Sequence, residues 1–149
     1  MAGETKLFND FILKDRQGRY LSTDTYQLVF LSNTYASIDT NVTDPDLSDY
    51  TVSSGGNVAA SYTLSSTTFT RSGTVFTFDA ANIPTIGRDA NNPTDLRTAL
   101  IICSTKGNEA IQVFDMTADG STALDLVNND FEFTFGSAGI NRSPNNSAS

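Results

Sequence analysis

The chain contains no histidine and no tryptophan, and it has a single cysteine in 149 residues. Without histidine, Ser-His-Asp and Cys-His catalysis, histidine-ligated zinc and the side chain that titrates nearest neutral pH are all excluded. One cysteine rules out an intramolecular disulfide, so a secreted scaffold held by bridges is not expected. That residue, Cys103, ends the apolar run Ala99-Leu100-Ile101-Ile102-Cys103 and has no basic neighbour in sequence. An inert buried thiol is expected there rather than a nucleophile.

Positive charge is also scarce. Nine Lys and Arg stand against seventeen Asp and Glu, for a formal net charge of −8. Binding to nucleic acid or to an anionic membrane surface draws on clustered Lys and Arg, and the nine here are scattered singly, so neither partner is expected. No apolar run approaches the roughly 18 residues that a spanning helix requires. The opening Met1-Ala2-Gly3-Glu4-Thr5-Lys6 lacks the basic and apolar regions of a secretory signal, and with the single cysteine this predicts folding in a reducing cytoplasm.

What the chain does have is aromatic and β-prone. Ten Phe and five Tyr concentrate apolar area into a few large side chains, and abundant Thr, Ser and Asn suit solvent-facing strands and turns. Leu7, Phe8, Phe11 and Ile12 fit one face of a short helix, with Thr5 as its cap and Asp15-Arg16-Gln17-Gly18 as its end. Strands are expected over Thr25 to Ser32, Ala59 to Leu64, Thr67 to Arg71, Val75 to Phe78, Ala99 to Cys103 and Ala110 to Phe114. Ser72-Gly73 turns the third and fourth of these into a hairpin whose Phe76 and Phe78 share one inward face, with Phe69 beside them. Ala99 to Cys103 is expected at the centre of a sheet. Phe131, Phe133 and Phe135 alternate with Glu132 and Thr134, the clearest period-2 pattern in the chain, and predict a strand with one wet face.

Two polar stretches, Asn33 to Asn57 and Pro84 to Asp95, read as loops. The first is long for a compact domain, which points to a functional or partner-bound segment, with a short edge strand near Tyr50 to Val52. Together these signals predict a mainly β fold: a single-domain antiparallel sandwich or barrel of about seven short strands with a short N-terminal helix. Residues 1–140 form that domain, and the polar stretch Asn141 to Ser149 forms a C-terminal arm ordered only by a partner.

Chemistry is thin. Asp44-Pro45-Asp46 with Asp49 is the densest acidic cluster, but it misses the D-x-D-x-D-G pattern and distal Glu of a Ca²⁺ loop, so solvated loop acids are expected. Gly55-Gly56 and Gly136-Ser137-Ala138-Gly139 are turns without a phosphate-loop Lys. No catalytic, cofactor-binding or metal-ligating residue is expected, and no enzyme.

Five segments carry a likeness: Thr5 to Phe11 (TKLFNDF), Asp24 to Tyr35 (DTYQLVFLSNTY), Phe78 to Ile83 (FDAANI), Arg97 to Ile102 (RTALII) and Phe131 to Ile140 (FEFTFGSAGI). In that order and spacing the chain resembles a family of small bacteriophage virion structural proteins, of the capsid decoration or cement type, encoded among head and tail genes. The resemblance implies a non-enzymatic particle component that bridges shell subunits. Its partners would be other virion proteins, chiefly the major capsid protein, with several copies or self-association in the particle. The candidate partner-binding residues are Thr5 and Lys6 in the N-terminal segment, Asp44, Asp46, Asp49 and Tyr50 in the long loop, and Asn141 and Arg142 in the arm. The alternative is a tail, head-to-tail or adhesion component, with Tyr50 beside Asp46 and Asp49 as the aromatic platform of a carbohydrate-binding module.

Overall fold

A computed structural model of the chain describes residues 4–21, 23–72 and 75–133. The fold is mainly β. Five strands form one antiparallel sheet in the order β1 (Thr5–Leu7), β7 (Glu109–Asp115), β6 (Thr98–Cys103), β2 (Tyr26–Leu31), β3 (Tyr62–Thr63). β4 (Thr68–Ser72) and β5 (Val75–Asp79) pair separately as a two-stranded ribbon, and α1 (Asn9–Arg16) follows β1. The sheet is open, with β1 and β3 at its two ends, so it is not closed into a barrel.

β6 sits at the centre, as its continuous apolar run predicts. All six of its residues are buried, so both faces of the sheet are covered. β2 is likewise apolar and buried from Leu28 to Leu31, the pattern of a strand with two dry faces. A bulge between Ile101 and Ile102 shifts the register against β7, leaving Ile111 without a partner residue on β6; Ile111 is fully buried. The ribbon pairs Thr68↔Asp79 through Ser72↔Val75, the expected hairpin. The expected inward face of Phe69, Phe76 and Phe78 concerns side chains outside the described residues.

Two expectations are corrected. Thr5 caps no helix: residues 5–7 are a strand against β7, and α1 begins only at Asn9, with Phe8 in extended conformation before it and no side-chain cap. Leu7 and Phe8 are apolar because they are core, at 3 % and 0 % exposure, and not because they sit on a helical face. Over Phe131 to Phe133, the described part of the alternation, there is no regular strand and Phe131 forms one antiparallel bridge with Ile86; Thr134 and Phe135 lie outside the described residues. Residues 131–133 instead lie on the sheet as a loop. The ring of Phe131 meets Phe30 at 5.6 Å, and that of Phe133 meets Phe30 at 6.3 Å and Phe114 at 5.6 Å.

The long loop is not structureless. Its first half pairs with the part of β7 that β1 leaves free: Ala110 N–H donates to the Pro45 carbonyl at 2.9 Å and Leu47 N–H to the Asn108 carbonyl at 3.0 Å. Its second half pairs with the part of β2 that β3 leaves free. Ser32 N–H donates to the Thr51 carbonyl at 2.9 Å and Ser53 N–H to the Phe30 carbonyl at 2.8 Å, around the expected short edge strand at Val52. Between these two edges Leu47 and Tyr50 pack on the core. The stretch is a strap tied to the sheet at both ends.

A second loop layer is fastened by Asn92. Gly55 and Val58 exchange backbone hydrogen bonds at 2.8 Å around a tight turn. Gly56 has φ +55°, and a Cβ there would lie 2.6 Å from Asn92 Oδ1 and 2.7 Å from the Asn91 carbonyl carbon, so only glycine fits.

Candidate functional site

The strap brings its acidic residues against the N-terminal strand and helix. Asp10 and Lys14 are one helical turn apart on α1, and the ammonium reaches Asp10 at 2.8 Å, Asp44 at 2.6 Å and Glu109 at 3.1 Å. Glu109, at the start of β7, also accepts from Arg19 through both carboxylate oxygens at 2.8 and 3.0 Å and from the Tyr20 hydroxyl at 2.7 Å. Burial alone would raise the Glu109 carboxyl, but the hydrogen bonds from Arg19, Tyr20 and Lys14 outweigh it and hold its pKa at about 2. Burial would lower Lys14, and its bonds to Asp10, Asp44 and Glu109 raise it instead. Burial and the Glu109 carboxylate push the Tyr20 hydroxyl up. This network ties helix, strap and sheet together. Asn9 adds a side-chain bond to Asn41, and its N–H donates to the Thr40 carbonyl at 3.0 Å.

A pH dependence follows. A carboxyl whose folded pKa lies below its unfolded value stabilises the fold above the unfolded value and loses that contribution as pH falls toward the folded one. For Glu109 the window runs from its ordinary 4.5 down to about 2. Glu109→Gln is expected to lower stability at pH 7 by about 2–3 kcal/mol and to flatten the acid limb of a stability profile. Denaturant melts of both proteins at stepped pH check it; an unchanged acid limb would place the acid sensitivity elsewhere.

The expected partner-binding residues divide into three groups. Thr5 is buried, its hydroxyl donating to the Val113 carbonyl at 3.0 Å and accepting from Gln112 Nε2 at 2.7 Å, so its side chain serves the sheet. Lys6 is half-buried: its ammonium donates to the Tyr35 carbonyl at 2.9 Å and stands 4.3 Å from the centre of the Tyr35 ring. Burial lowers its pKa, against the opposing pull of Asp39 and Glu4.

In the strap, Asp46 and Asp49 cap each other. Asp46 Oδ1 accepts from Ser48 N–H at 2.7 Å, and Asp49 Oδ2 accepts from Asp46 N–H at 3.0 Å, closing a capping box around the short 3-10 turn Leu47–Asp49. The Tyr50 ring lies 6.1 Å from that of Phe8, and its hydroxyl is pushed up to about 12 by burial and by the carboxylates of Asp49, Asp39 and Asp46. The ring is half-buried, with one side packed on the core. Asp44 has φ 50° and is exposed apart from its pair with Lys14. Asn141 and Arg142 lie outside the described residues.

Asp39, Asp44 and Asp49 are exposed along the strap, where they form an acidic rim beside α1 and β7. Among the described residues, no group of three or more His, Cys, Asp or Glu side chains is placed to hold a metal ion. Cys103 is buried, and that burial pushes its thiol up despite the hydroxyl of Thr105 at 3.4 Å. Among the described residues no helix is long and apolar enough to cross a membrane. Sequence reasoning missed Lys14, Arg19, Tyr20 and Glu109. The Asp10/Lys14 spacing hinted at half of the network, but the partners of Glu109 are about ninety residues away in the chain. Comparison with family models, with curated proteins and with solved structures gives no match.

Proposed function

We propose that the chain is a non-enzymatic structural protein of a bacteriophage particle, a decoration or cement protein that bridges subunits of the capsid shell. The observation that carries the reading is the strap, which holds Asp39, Asp44 and Asp49 outward on a loop tied to the sheet at both ends. A docking surface whose side chains are fixed before contact avoids the cost of ordering a free loop on binding, about 1 to 2 kcal/mol per residue. The partly buried ion network of Lys14, Asp10, Asp44 and Glu109 supplies that order. Its acidic rim suits a partner with basic groups at the contact, and repeated copies multiply weak contacts through avidity. The resemblance read from the sequence segments motivates the same reading, and the net charge of −8 suits an outer surface better than contact with packaged DNA.

Co-sedimentation with purified particles tests the proposal. Full-length protein is expected to pellet with particles that lack it and to be released by salt, whereas the triple variant Asp39→Asn, Asp44→Asn, Asp49→Asn binds at least about tenfold more weakly. Deletion of residues 141–149 is expected to leave the melting temperature unchanged and to weaken retention. Binding unaffected by both changes would remove the rim and the arm as docking elements.

A further inference from the structure

The two edges of the sheet are finished differently. On the β1 side Thr5 and Leu7 are buried, and the remainder of β7 is paired with the strap. Among the described residues the sheet ends on the β3 side at Tyr62–Thr63, and Ala59, Ala60, Ser61 and Thr63 are exposed. Leu64 N–H bonds to the Tyr26 carbonyl at 2.9 Å, and Gln27 stands opposite Thr63. In an antiparallel ladder, hydrogen-bonded pairs alternate with pairs that turn their backbone groups outward, so the Thr63 N–H and C=O face away from β2.

Such an edge is a template for another strand unless charge, proline or a covering segment blocks it. Here nothing in the local sequence blocks it. Residues Tyr50 to Thr70 contain no Asp, Glu, Lys, Arg or Pro, in a chain that carries 26 formal charges elsewhere. The edge closes only beyond Ser65, whose carbonyl accepts from Ala81 N–H at 2.9 Å.

We infer that Ser61 to Thr63 pair antiparallel with the same residues of a second copy, across a two-fold axis near Tyr62, so that two five-stranded sheets join into one. The choice of a like copy rests on charge. Two bodies of net charge −8 repel wherever their charged surfaces meet, and this uncharged edge is where they approach at least cost. An antiparallel strand edge centred on a two-fold axis is self-complementary, as an isologous contact requires. A cationic partner is drawn instead to Asp39, Asp44 and Asp49. The inference is independent of the virion reading. The contact is short, so the dimer is weak, with a Kd roughly micromolar or above.

Sedimentation velocity of the full chain across concentration and salt tests it. The expected result is a monomer–dimer equilibrium that tightens as salt screens the mutual repulsion. Thr63→Lys and Ser61→Lys place like charges across the axis and are each expected to weaken the dimer at least about tenfold, with unchanged thermal melting. Leu13→Lys, at an exposed position on α1, is expected to leave the dimer intact. A chain that stays monomeric to about 1 mM in high salt would overturn the inference, as would a dimer abolished by Leu13→Lys but kept by both edge variants.

Discussion

Phe30→Ala is expected to destabilise the fold by about 3–5 kcal/mol and to lower the melting temperature by on the order of 10 °C. The ring is fully buried on β2 and is the shared neighbour of Tyr62 at 5.9 Å, Phe131 at 5.6 Å and Phe133 at 6.3 Å. Its removal deletes the transfer energy of a whole aromatic side chain. It also leaves a cavity under residues 131–133, whose two rings pack on Phe30 while two backbone bonds at 2.8 and 2.9 Å tie Phe131 to Ile86. Phe133→Ala removes one of those rings from between Phe30 and Phe114 and is expected to cost about 3 kcal/mol. Because both substitutions break the same contact, the double variant should lose less than the sum of the two. Urea titrations of the three proteins measure this. A change below about 1 kcal/mol for Phe133→Ala would mean that residues 131–133 are not part of the core.

Asn92→Ala is expected to cost about 2–4 kcal/mol although it removes no apolar contact of note. The side chain is 4 % exposed and makes three bonds: its Nδ2 donates to the Gly87 carbonyl at 3.0 Å and the Leu126 carbonyl at 2.9 Å, and its Oδ1 accepts from Asn57 N–H at 2.7 Å. Three loops meet at this amide. Alanine leaves the Asn57 N–H without its acceptor and takes one donor from each of two carbonyls. Asn92→Asp is the sharper variant, since it keeps the shape but turns an oxygen toward two carbonyl oxygens and buries a charge. It should lose at least as much as alanine at pH 7 and recover part of the loss as pH falls and the acid takes up a proton. If Asn92→Asp is neutral at pH 7, the amide does not hold the loops together.

The parts of the fold legible in the sequence are those whose signal is local. Leu28 to Leu31 and Ala99 to Cys103 are unbroken apolar runs, and both prove to be inner strands buried on two faces. Ser72-Gly73 between two β-prone runs gave a hairpin in the right place. Where two periodicities compete, the reading slips. Leu7, Phe8, Phe11 and Ile12 satisfy a helical face, but the first two belong to a strand and its exit, and only the ladder with β7 distinguishes the alternatives. Phe131 and Phe133 alternate with Glu132 as a strand would, yet they reach their ring partners from a loop, because the alternation needs only one buried side and not a hydrogen-bonded neighbour.

The candidate site was legible in part. The acids of the strap are conspicuous in sequence, but their division of labour is not. Asp46 and Asp49 cap a turn, Asp44 pairs with a helix lysine thirty residues earlier, and Asp39 faces solvent near Lys6. Glu109 is a single acid beside a glycine turn, and nothing near it in the chain announces that Lys14, Arg19 and Tyr20 converge on it. Asn92 sits in the polar tract Ala90-Asn91-Asn92-Pro93, where burial of one amide among several has no local signature.

Imaging of purified phage particles, assembled with and without the intact gene, at a resolution that traces chains tests the proposed structural role most directly. The expected result is a five-stranded body on the outside of the shell, in a copy number fixed by the capsid lattice, with Asp39, Asp44 and Asp49 facing basic groups of a shell subunit, and with that density missing when the gene is disrupted. Identical particles from both preparations, with no such body on head or tail, would contradict a role in the virion.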